Sequence, residues 1–586
     1  MKQENNLHTR AQALIFQAKA TLLRVRRGTA NLSGDKIRRF SFAQQLADRA
    51  VIAESKTPLW TDSAAAEKFL LAGKIHNLRL AAEKLNGLEI PANEIFSFWK
   101  HVGRASRFNG YVAGRELREG CLIPSVGGGL CQLSNALYDA ALRADFEIVE
   151  RHAHSQIVAG SLAEQGRDAT VFWNYIDLRF KSPTAFRIEA RLDKDYLFVK
   201  FKSEARNSKK SQIGRIKTSA DQNLKSKGEN PNGCASCGAG DCFRSLKPAA
   251  NLAFGRTAFL VDGYLPEFDE YLQKTRTAND VMFVPLDGKR FRQANYAWNR
   301  DGFAAVKQSL RVAVERSYKS RRLAAQGAAR QLNLLAMYRK LAESYAKSLR
   351  YDMTHLVVQQ NLLPFLWQSG VLGGRGFDVL MTSLPLEKLQ EKLDFAASMH
   401  PESATLGDFR ADENLIAAEN EALRNADKII TPHTAIAALF PDRAELLNWK
   451  IPAARPIFRT ANDKYTVVFP ASTVGRKGCF ELREAIRGLN VRIIGLGANL
   501  ESADFWRGFD FETGGETRLE SADLVVLPAY VEHQPRRLLQ AVASEIPVVA
   551  SKNCGLGTIK SVITIETGDA PALRSLISEL VSKKNK

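Results

Sequence analysis

The sequence has few cysteines and no long apolar segment. Seven cysteines in 586 residues, several of them clustered, exclude the dense disulfide framework of a small secreted protein and indicate free thiols or a metal site. No run of about 20 apolar residues occurs, so no transmembrane helix is predicted. The N-terminus also lacks a long apolar core followed by a small-residue cleavage site, which predicts a cytoplasmic protein.

Acidic residues are in short supply. Asp and Glu number 63 against 83 Lys and Arg, which gives a formal net charge of +20. This excess predicts anionic partners, such as phosphorylated sugar donors, anionic lipid head groups or nucleic acid. Nucleic acid is the least favoured of these partners, because the chain has no basic strand pattern interleaved with aromatic residues.

Part of the positive charge lies near the N-terminus. The first 27 residues could form a basic amphipathic helix with Leu14, Ile15, Leu22 and Leu23 on one side. This pattern is typical of a helix that makes peripheral contact with an anionic membrane, here at its inner face. A solvated helix packed on its own domain fits the same pattern, so both interpretations stay open.

The length and the hydrophobic pattern predict several domains. After residue 250, apolar strand candidates such as YTVVFP and DLVVLPAY alternate with helices, which is the rhythm of open parallel α/β sheets. The predicted fold class is therefore α/β, with two Rossmann-like lobes preceded by a smaller α+β domain. The predicted order is basic helices (1–70), the α+β domain (71–202), a basic linker with a cysteine cluster (203–250), a first lobe (251–456) and a second lobe (457–586).

The segment GGGLCQLS, which begins at Gly127, is the most informative stretch of the chain. Three glycines allow a tight turn and a close backbone approach. The residues that follow have apolar side chains at helical spacing, so Cys131 is predicted at or near a helix N-terminus. The unpaired N–H groups and the dipole of a helix start favour a thiolate and would lower the pKa of Cys131.

The motifs around this segment resemble those of the VanW family, which is named for an accessory protein of vancomycin-resistance clusters. GGGLCQLS, VERHAHS and GRDATV occur in the order and at the spacing of that family, and the resemblance extends from about residue 74 to 202. It implies a bacterial protein connected with the cell envelope.

Polar residues after Cys131 have the types that thiol catalysis needs. The chain places His152, His154, Asp168 and Asp177 downstream of the cysteine. A thiolate nucleophile, a histidine that moves its proton and a carboxylate that orients the histidine form a coherent set. This order resembles that of transglutaminase-like cysteine enzymes, which is an analogy at the level of fold.

Two other interpretations of this segment stay open. Cys131 could be a small buried hydrophobic residue beside a tight glycine turn, with the histidines at strand ends. Gln132 and Ser134 could instead bind a ligand.

The last lobe contains the segments VVFPASTVGRKGCFELREAI and ADLVVLPAYVEHQPRRLLQAVASEIPVVAS. These segments resemble the donor-binding lobe of retaining glycosyltransferases of the GT-B fold, the "group 1" family. The resemblance implies an acceptor side for the lobe at 251–456 and a nucleotide-sugar side for the lobe at 457–586. The resemblance implies that Lys477 neutralises the donor diphosphate, that Glu532 lies near the donor sugar and that Gln540 stands where the family has a ribose-binding glutamate. Backbone N–H groups at Gly555 and Gly557 could meet a phosphate.

Two positions depart from the glycosyltransferase pattern. Ser472 stands where the family has an arginine, and Glu545 stands where it has a glycine before PVV. The resemblance therefore allows both an active sugar transferase and a lobe that has lost its activity.

The motif NGCASCGAGDCFR contains Cys234, Cys237 and Cys242. Two cysteines separated by two residues can hold one metal ion from a turn, and the third makes a cluster of three ligands that would suit zinc or an iron–sulfur cluster. Three free thiols in a loop are the alternative.

These resemblances lead to two functional hypotheses. The first is a glycosyltransferase of the hexosyltransferase type that takes a nucleotide-diphosphate sugar and transfers the sugar to an envelope or glycoconjugate acceptor. The second is a cysteine-dependent acyl or amide-bond enzyme, with Cys131 as nucleophile, that acts on an envelope precursor while the GT-B-like module serves only for recognition.

Overall fold

The computed structural model describes residues 10–33, 37–61, 65–118, 121–154, 161–204, 255–323, 327–454 and 464–584. The predicted metal ligands Cys234, Cys237 and Cys242 lie outside these residues. The described chain divides into two compact units. The first comprises the chain up to Arg256 together with Arg350–Thr354 and Ser369–Gly376, and the second comprises Thr257–Leu349, His355–Gln368 and the chain from Phe377 onward.

The first unit combines antiparallel strands with helices. Its elements are α1 (Arg10–Ser33), β1 (Val51–Pro58), α2 (Ala65–Glu83), β2 (Leu88–Ile90), β3 (Ile95–Ser97), α3 (Phe98–Val102), β4 (Ala113–Arg118), β5 (Cys121–Val126), α4 (Cys131–Arg143), β6 (Glu147–Glu150), β7 (Arg179–Lys181), β8 (Phe186–Leu192) and β9 (Tyr196–Ser203). The strands form a sheet in the order β1-β9-β8-β2, a smaller sheet in the order β3-β7-β6 and the hairpin β4-β5. The prediction of an α+β domain is confirmed.

Strand β1 differs from the sequence-based expectation. Residues up to 70 were expected to be helical, whereas Val51–Pro58 pairs antiparallel with β9, from Val51 opposite Lys202 to Pro58 opposite Tyr196. The inward side chains of β1 are Ala53, Ser55 and Thr57. Because small and polar side chains occupy this buried face, the period of two is not visible as alternating hydrophobicity.

Aromatic packing holds helix α4 in place. Phe146 and Phe201 stack with ring centroids 5.3 Å apart, and Phe186 lies 4.7 Å from Phe146. All three side chains are buried, and rings of this size dominate the energetics of a core. Helix α4 packs on β1 and β9 beside this cluster, so the core fixes the position from which Cys131 starts the helix.

The second unit contains two parallel sheets. The elements of the first lobe are β10 (Arg256–Leu260), α5 (Pro266–Thr275), β11 (Val281–Val284), β12 (Ala305–Gln308), α6 (Leu310–Arg321), α7 (Ala328–Ser348), β13 (Met353–Gln359), α8 (Leu363–Gln368), β14 (Gly376–Leu380), α9 (Leu386–Met399), α10 (Glu413–Asn425), β15 (Lys428–Thr431), α11 (Thr434–Ala437) and β16 (Ala444–Leu446). Those of the second lobe are β17 (Tyr465–Phe469), α12 (Cys479–Ala485), β18 (Val491–Gly495), β19 (Phe511–Thr513), β20 (Leu524–Leu527), α13 (Arg536–Ala543), β21 (Val548–Ser551), β22 (Val562–Ile565) and α14 (Ala570–Lys584).

Both sheets have the strand order of a doubly wound fold. The first runs β12-β11-β10-β13-β14-β15-β16 and the second β19-β18-β17-β20-β21-β22. The order reverses between β10 and β13 and again between β17 and β20, and ligands of such sheets bind outside the carboxyl ends of the strands at these points. Every residue of β17, β20 and β21 is buried, as expected for strands covered on both faces. The prediction of two Rossmann-like lobes is confirmed.

Helix α1 carries the apolar residues predicted for a surface helix. The side chains of Leu14, Ile15, Leu22 and Leu23 are all exposed. Contact of this face with a membrane stays a prediction. Among the described helices, none combines the length and apolar character needed to cross a bilayer.

Candidate active site

The glycine turn places Cys131 as the first residue of α4. Gly127 and Gly129 have φ angles of 79° and 100°, which L side chains rarely adopt. A Cβ at Gly129 would lie 2.3 Å from Cγ of Lys74, so the missing side chain also allows Lys74 to approach the turn. No side chain caps the first turn of α4, and the positive end of the helix dipole lies beside the cysteine.

Cys131, His154 and Asp168 form a continuous line of contacts. Nδ1 of His154 lies 2.5 Å from Oδ1 of Asp168, and the backbone N–H of His154 donates to Oδ2 of the same carboxylate. The His154 ring also lies close enough to the Cys131 thiol for the two groups to shift each other's pKa. Because Nδ1 faces Asp168, Nε2 is the ring nitrogen left to face the sulfur. The hydroxyl of Thr170 lies 3.6 Å from Sγ on another side.

The electrostatics of this line favour a thiolate and an imidazolium. Burial opposes charge on the thiol, but hydrogen bonding and the charge of His154 outweigh it and lower the pKa of Cys131. Burial likewise opposes the imidazolium, but the bonds to Asp168 and Cys131 raise the pKa of His154 to about 10. By contrast, burial raises the pKa of Cys479, and it raises that of Cys554 to about 12.

Helix α4 also holds the segment that carries Asp168. Oδ1 of Asn135 accepts the N–H of Ala169 at 2.8 Å, and the Ser134 hydroxyl donates to the carbonyl of Ala169. Asn135 is one helical turn after Cys131, so both side chains lie on the same face. Asn135 was not predicted from the sequence, although its spacing of four residues from Cys131 on the predicted helix was the available signal.

Two other candidate residues do not join this line. Nε2 of His152 lies 3.5 Å from Glu150, and its side chain is 49% exposed. Asp177 instead accepts the Ser97 hydroxyl at 2.6 Å and the backbone N–H of Trp99 at 3.1 Å, which ties β3 and α3 to the segment before β7. The structure therefore separates His154 from His152, which the sequence treated as equivalent.

A cavity of about 830 Å³ opens beside Cys131 and His154. On its wall, Nε2 of Gln132 donates to the carbonyl of Pro58 at 2.8 Å, while Oε1 of Gln132 is buried with no partner among the described residues. The charged side chains of the lining are Arg24, Lys56, Lys74, Arg104, Arg115, Glu116 and Arg118. The cavity is therefore strongly cationic.

Gly129 is predicted to be essential for the folded turn. Gly129→Ala should destabilise the protein by about 2 kcal/mol or more, since the backbone strain of a positive φ costs roughly 1–2 kcal/mol and the contact with Lys74 adds to it. The measurement is the midpoint of thermal unfolding. Gly166→Ala is the control, because Gly166 has a φ of 74° but nothing within 4 Å of an added Cβ. Equal losses in the two variants would contradict the steric part of this prediction.

The second unit brings Lys477 and Glu532 together at the carboxyl ends of β17 and β20. Nζ of Lys477 lies 2.8 Å from Oε2 of Glu532 and donates to the carbonyl of Val531 at 3.0 Å. Burial would raise the pKa of Glu532, but the neighbouring ammonium of Lys477 prevails and lowers it to about 2. The pair lies where the strand order reverses, which is the ligand position of such a sheet.

The other predicted donor residues contact the first lobe. The Gln540 amide donates from Nε2 to the carbonyl of Ala453 at 3.2 Å, a bond that a glutamate at this position could not donate. The carbonyl of Gly555 accepts Nε1 of Trp449 at 2.9 Å, and the N–H of Gly557 donates to Thr434 Oγ1 at 3.3 Å.

His433 is a further residue beside Glu532, and it was not predicted from the sequence. Its Nε2 lies 3.0 Å from the backbone carbonyl of Glu532, and its buried Nδ1 has no partner in the described part of the chain. A Cβ at Gly555 would lie 2.3 Å from its ring. The signal was its place two residues after β15, at the carboxyl edge of the first sheet.

No group of three or more His, Cys, Asp or Glu side chains among the described residues is arranged to hold a metal ion. The proposed zinc or iron–sulfur site at the cysteine cluster falls in the part of the chain outside them.

The fold and the contacts define a two-part protein: a small α+β domain with a cysteine–histidine–aspartate line in a cationic cavity, and a module of two Rossmann-like lobes.

Comparison with known proteins identifies the first part. Residues 73–202 match the model of the family described as VanW like protein, and they form a VanW-like domain. The chain is 31% identical over 163 residues to the vancomycin B-type resistance protein VanW of Enterococcus faecalis, and 39% identical over 107 residues to the protein YoaR of Bacillus subtilis. These alignments cover 26% and 18% of this chain, and 58% and 35% of those relatives.

Solved structures similar to this chain include glycosyltransferase-type proteins. Sucrose-phosphate synthase from Thermosynechococcus elongatus aligns with a TM-score of 0.36 and 15% identity, and covers 56% of this chain and 90% of its own. HepE of Anabaena, solved with UDP and glucose, aligns with a TM-score of 0.34 and 14% identity at the same coverage.

Proposed function

We propose that the VanW-like domain is a cysteine-dependent acyl-transfer or amide-bond enzyme that acts on an envelope precursor. Cys131 is the nucleophile, His154 exchanges protons with the reacting groups and Asp168 holds His154 in one tautomer and orientation. The observation that carries the proposal is the line of contacts from the Cys131 thiol through His154 to the buried Asp168, at the edge of a cavity large enough for a substrate.

The residues divide the reaction into two steps. The Cys131 thiolate attacks the carbonyl carbon of the acyl donor, and the bond to the leaving amine or alcohol breaks as His154 gives that group its proton. A thioester remains on Cys131. His154 then takes a proton from water or from an acceptor amine, which attacks the thioester and releases the thiolate. The dipole of helix α4, whose first residue is Cys131, would help to stabilise the oxyanion of both steps.

The reactivity of Cys131 tests this proposal. A free cysteine is only a few per cent thiolate at neutral pH, so Cys131 with its lowered pKa should react with iodoacetamide about tenfold faster than a free cysteine. It should also react far faster than Cys479 and Cys554, whose pKa values are raised. Peptide mass spectrometry after timed alkylation measures all three rates.

The pH dependence of this alkylation has a definite sign. The thiolate persists above the lowered pKa of Cys131, so the rate should fall only on acidification below that value. The imidazolium partner persists up to the His154 pKa of about 10. His154→Gln should raise the thiol pKa and reduce the rate at neutral pH about tenfold, with recovery in alkali. An unreactive Cys131 in the folded protein would leave the packing interpretation in its place.

The two-lobe module supports a second candidate function. Lys477 and Glu532 meet at the strand reversal of the second sheet, where a diphosphate would lie against the Lys477 ammonium. The module would bind a nucleotide-diphosphate sugar and transfer the sugar to an envelope or glycoconjugate acceptor at the first lobe. Such a transferase should be insensitive to alkylation of Cys131, whereas the thiol enzyme should lose its activity.

A further inference from the structure

The charges around Cys131 are unbalanced. Six cationic side chains and a single carboxylate, Glu116, line the cavity. That carboxylate is 2.5 Å from Arg118, which leaves it little capacity to neutralise the other cations. The cavity would therefore repel a cationic substrate and attract an anionic one.

Lys74 is a lining cation that contacts the glycine turn before Cys131. Its stem packs against Gly129, two residues before Cys131, in the space that a Cβ would fill. Burial and the nearby guanidinium of Arg115 lower the pKa of Lys74 to about 8. No carboxylate among the described residues compensates this ammonium, and the nearby Glu67 lies 3.7 Å from Arg115.

We propose that Lys74 and Arg115 form a subsite for an anionic oxygen group, a carboxylate or a phosphate, of the substrate that reacts at Cys131. A partly desolvated ammonium without a counter-ion is unfavourable, and a bound anion would remove that cost. The inference rests on the proposed function and defines its substrate class: an acyl donor with a negative charge close to the reacting carbonyl.

Two alkylating reagents that differ only in charge test the subsite. Iodoacetate carries a carboxylate where iodoacetamide carries a neutral amide. Both reagents react with the same thiolate, so the ratio of their rates at Cys131 does not depend on the thiolate fraction. The ratio depends on the charge around the sulfur. We expect Lys74→Met to lower the ratio of iodoacetate to iodoacetamide about tenfold, the effect of removing one charge at close range in a partly screened site. Lys68→Met is the matched control, because Lys68 lies exposed on the same helix and outside the cavity lining.

The outcomes separate the two proposals. If Cys131 is labelled rapidly but Lys74→Met leaves the ratio of the two rates unchanged, the anion subsite is overturned and Cys131 remains the proposed nucleophile. If neither reagent labels Cys131, its assignment as nucleophile is wrong. Anion binding at the subsite is then tested by thermal unfolding of the Cys131→Ala variant. Stabilisation of that variant by acetate assigns a carboxylate and stabilisation by inorganic phosphate assigns a phosphate, provided that a further Lys74→Met substitution removes the effect. Absence of both effects would overturn the subsite.

Discussion

Asp168→Asn is expected to lower the rate of acyl transfer by about 1,000-fold or more, the scale found when the carboxylate of a catalytic triad becomes an amide. The Asp168 carboxylate accepts both Nδ1–H and the backbone N–H of His154. An Asn amide would favour the other imidazole tautomer, which places a proton on Nε2 when the ring must act as a base. Hydrolysis of the activated ester nitrophenyl acetate, followed as release of nitrophenol, measures the rate.

His152→Gln provides the matched control for this experiment. His152 is exposed and contacts Glu150, so its replacement should leave the rate within about twofold of the wild-type value. Cys131→Ala should abolish the burst of nitrophenol and the acetyl adduct that mass spectrometry would detect on the cysteine peptide. An Asp168→Asn protein that keeps both its fold and most of its rate would show that the three residues are a structural arrangement only.

Lys477→Ala is expected to weaken the binding of UDP to the two-lobe module by about 1.5–3 kcal/mol, the range for a hydrogen bond to a charged group. Loss of the ammonium would also remove the main charge that lowers the pKa of Glu532 and would leave this carboxylate without its ion-pair partner beside the diphosphate. Calorimetric titration of the full chain with UDP measures the change.

Lys464→Ala is the control for charge alone. Lys464 precedes β17 at the opposite edge of the same sheet, where it lies 2.8 Å from Asp510 and is exposed. Its removal changes the net charge by the same amount and should leave the affinity for UDP unchanged. Equal losses in the two variants would indicate a general effect of charge. If millimolar UDP fails to bind the wild-type protein, the module has no donor site and the function rests on the VanW-like domain.

Local patterns were sufficient for the two lobes because their strands are continuous apolar runs between helices. Such runs can be recognised as strands without knowing which strands they pair with. Strands β17, β20 and β21 are buried along their whole length. Strand β1 lacked this signal, because Ser55 and Thr57 lie on its buried face. Its conformation is determined by pairing with β9, a partner about 150 residues away along the chain.

The sequence by itself determined the residue types of the candidate site and the start of helix α4 at Cys131, because glycine turns and helical periodicity act over a few neighbouring residues. Only the tertiary structure chose His154 over His152, since the choice depends on where Asp168 lies in space. The same holds for the packing of Lys74 against Gly129. That contact joins α2 to a turn 55 residues later, and no local propensity specifies a contact that depends on the packing of a whole core.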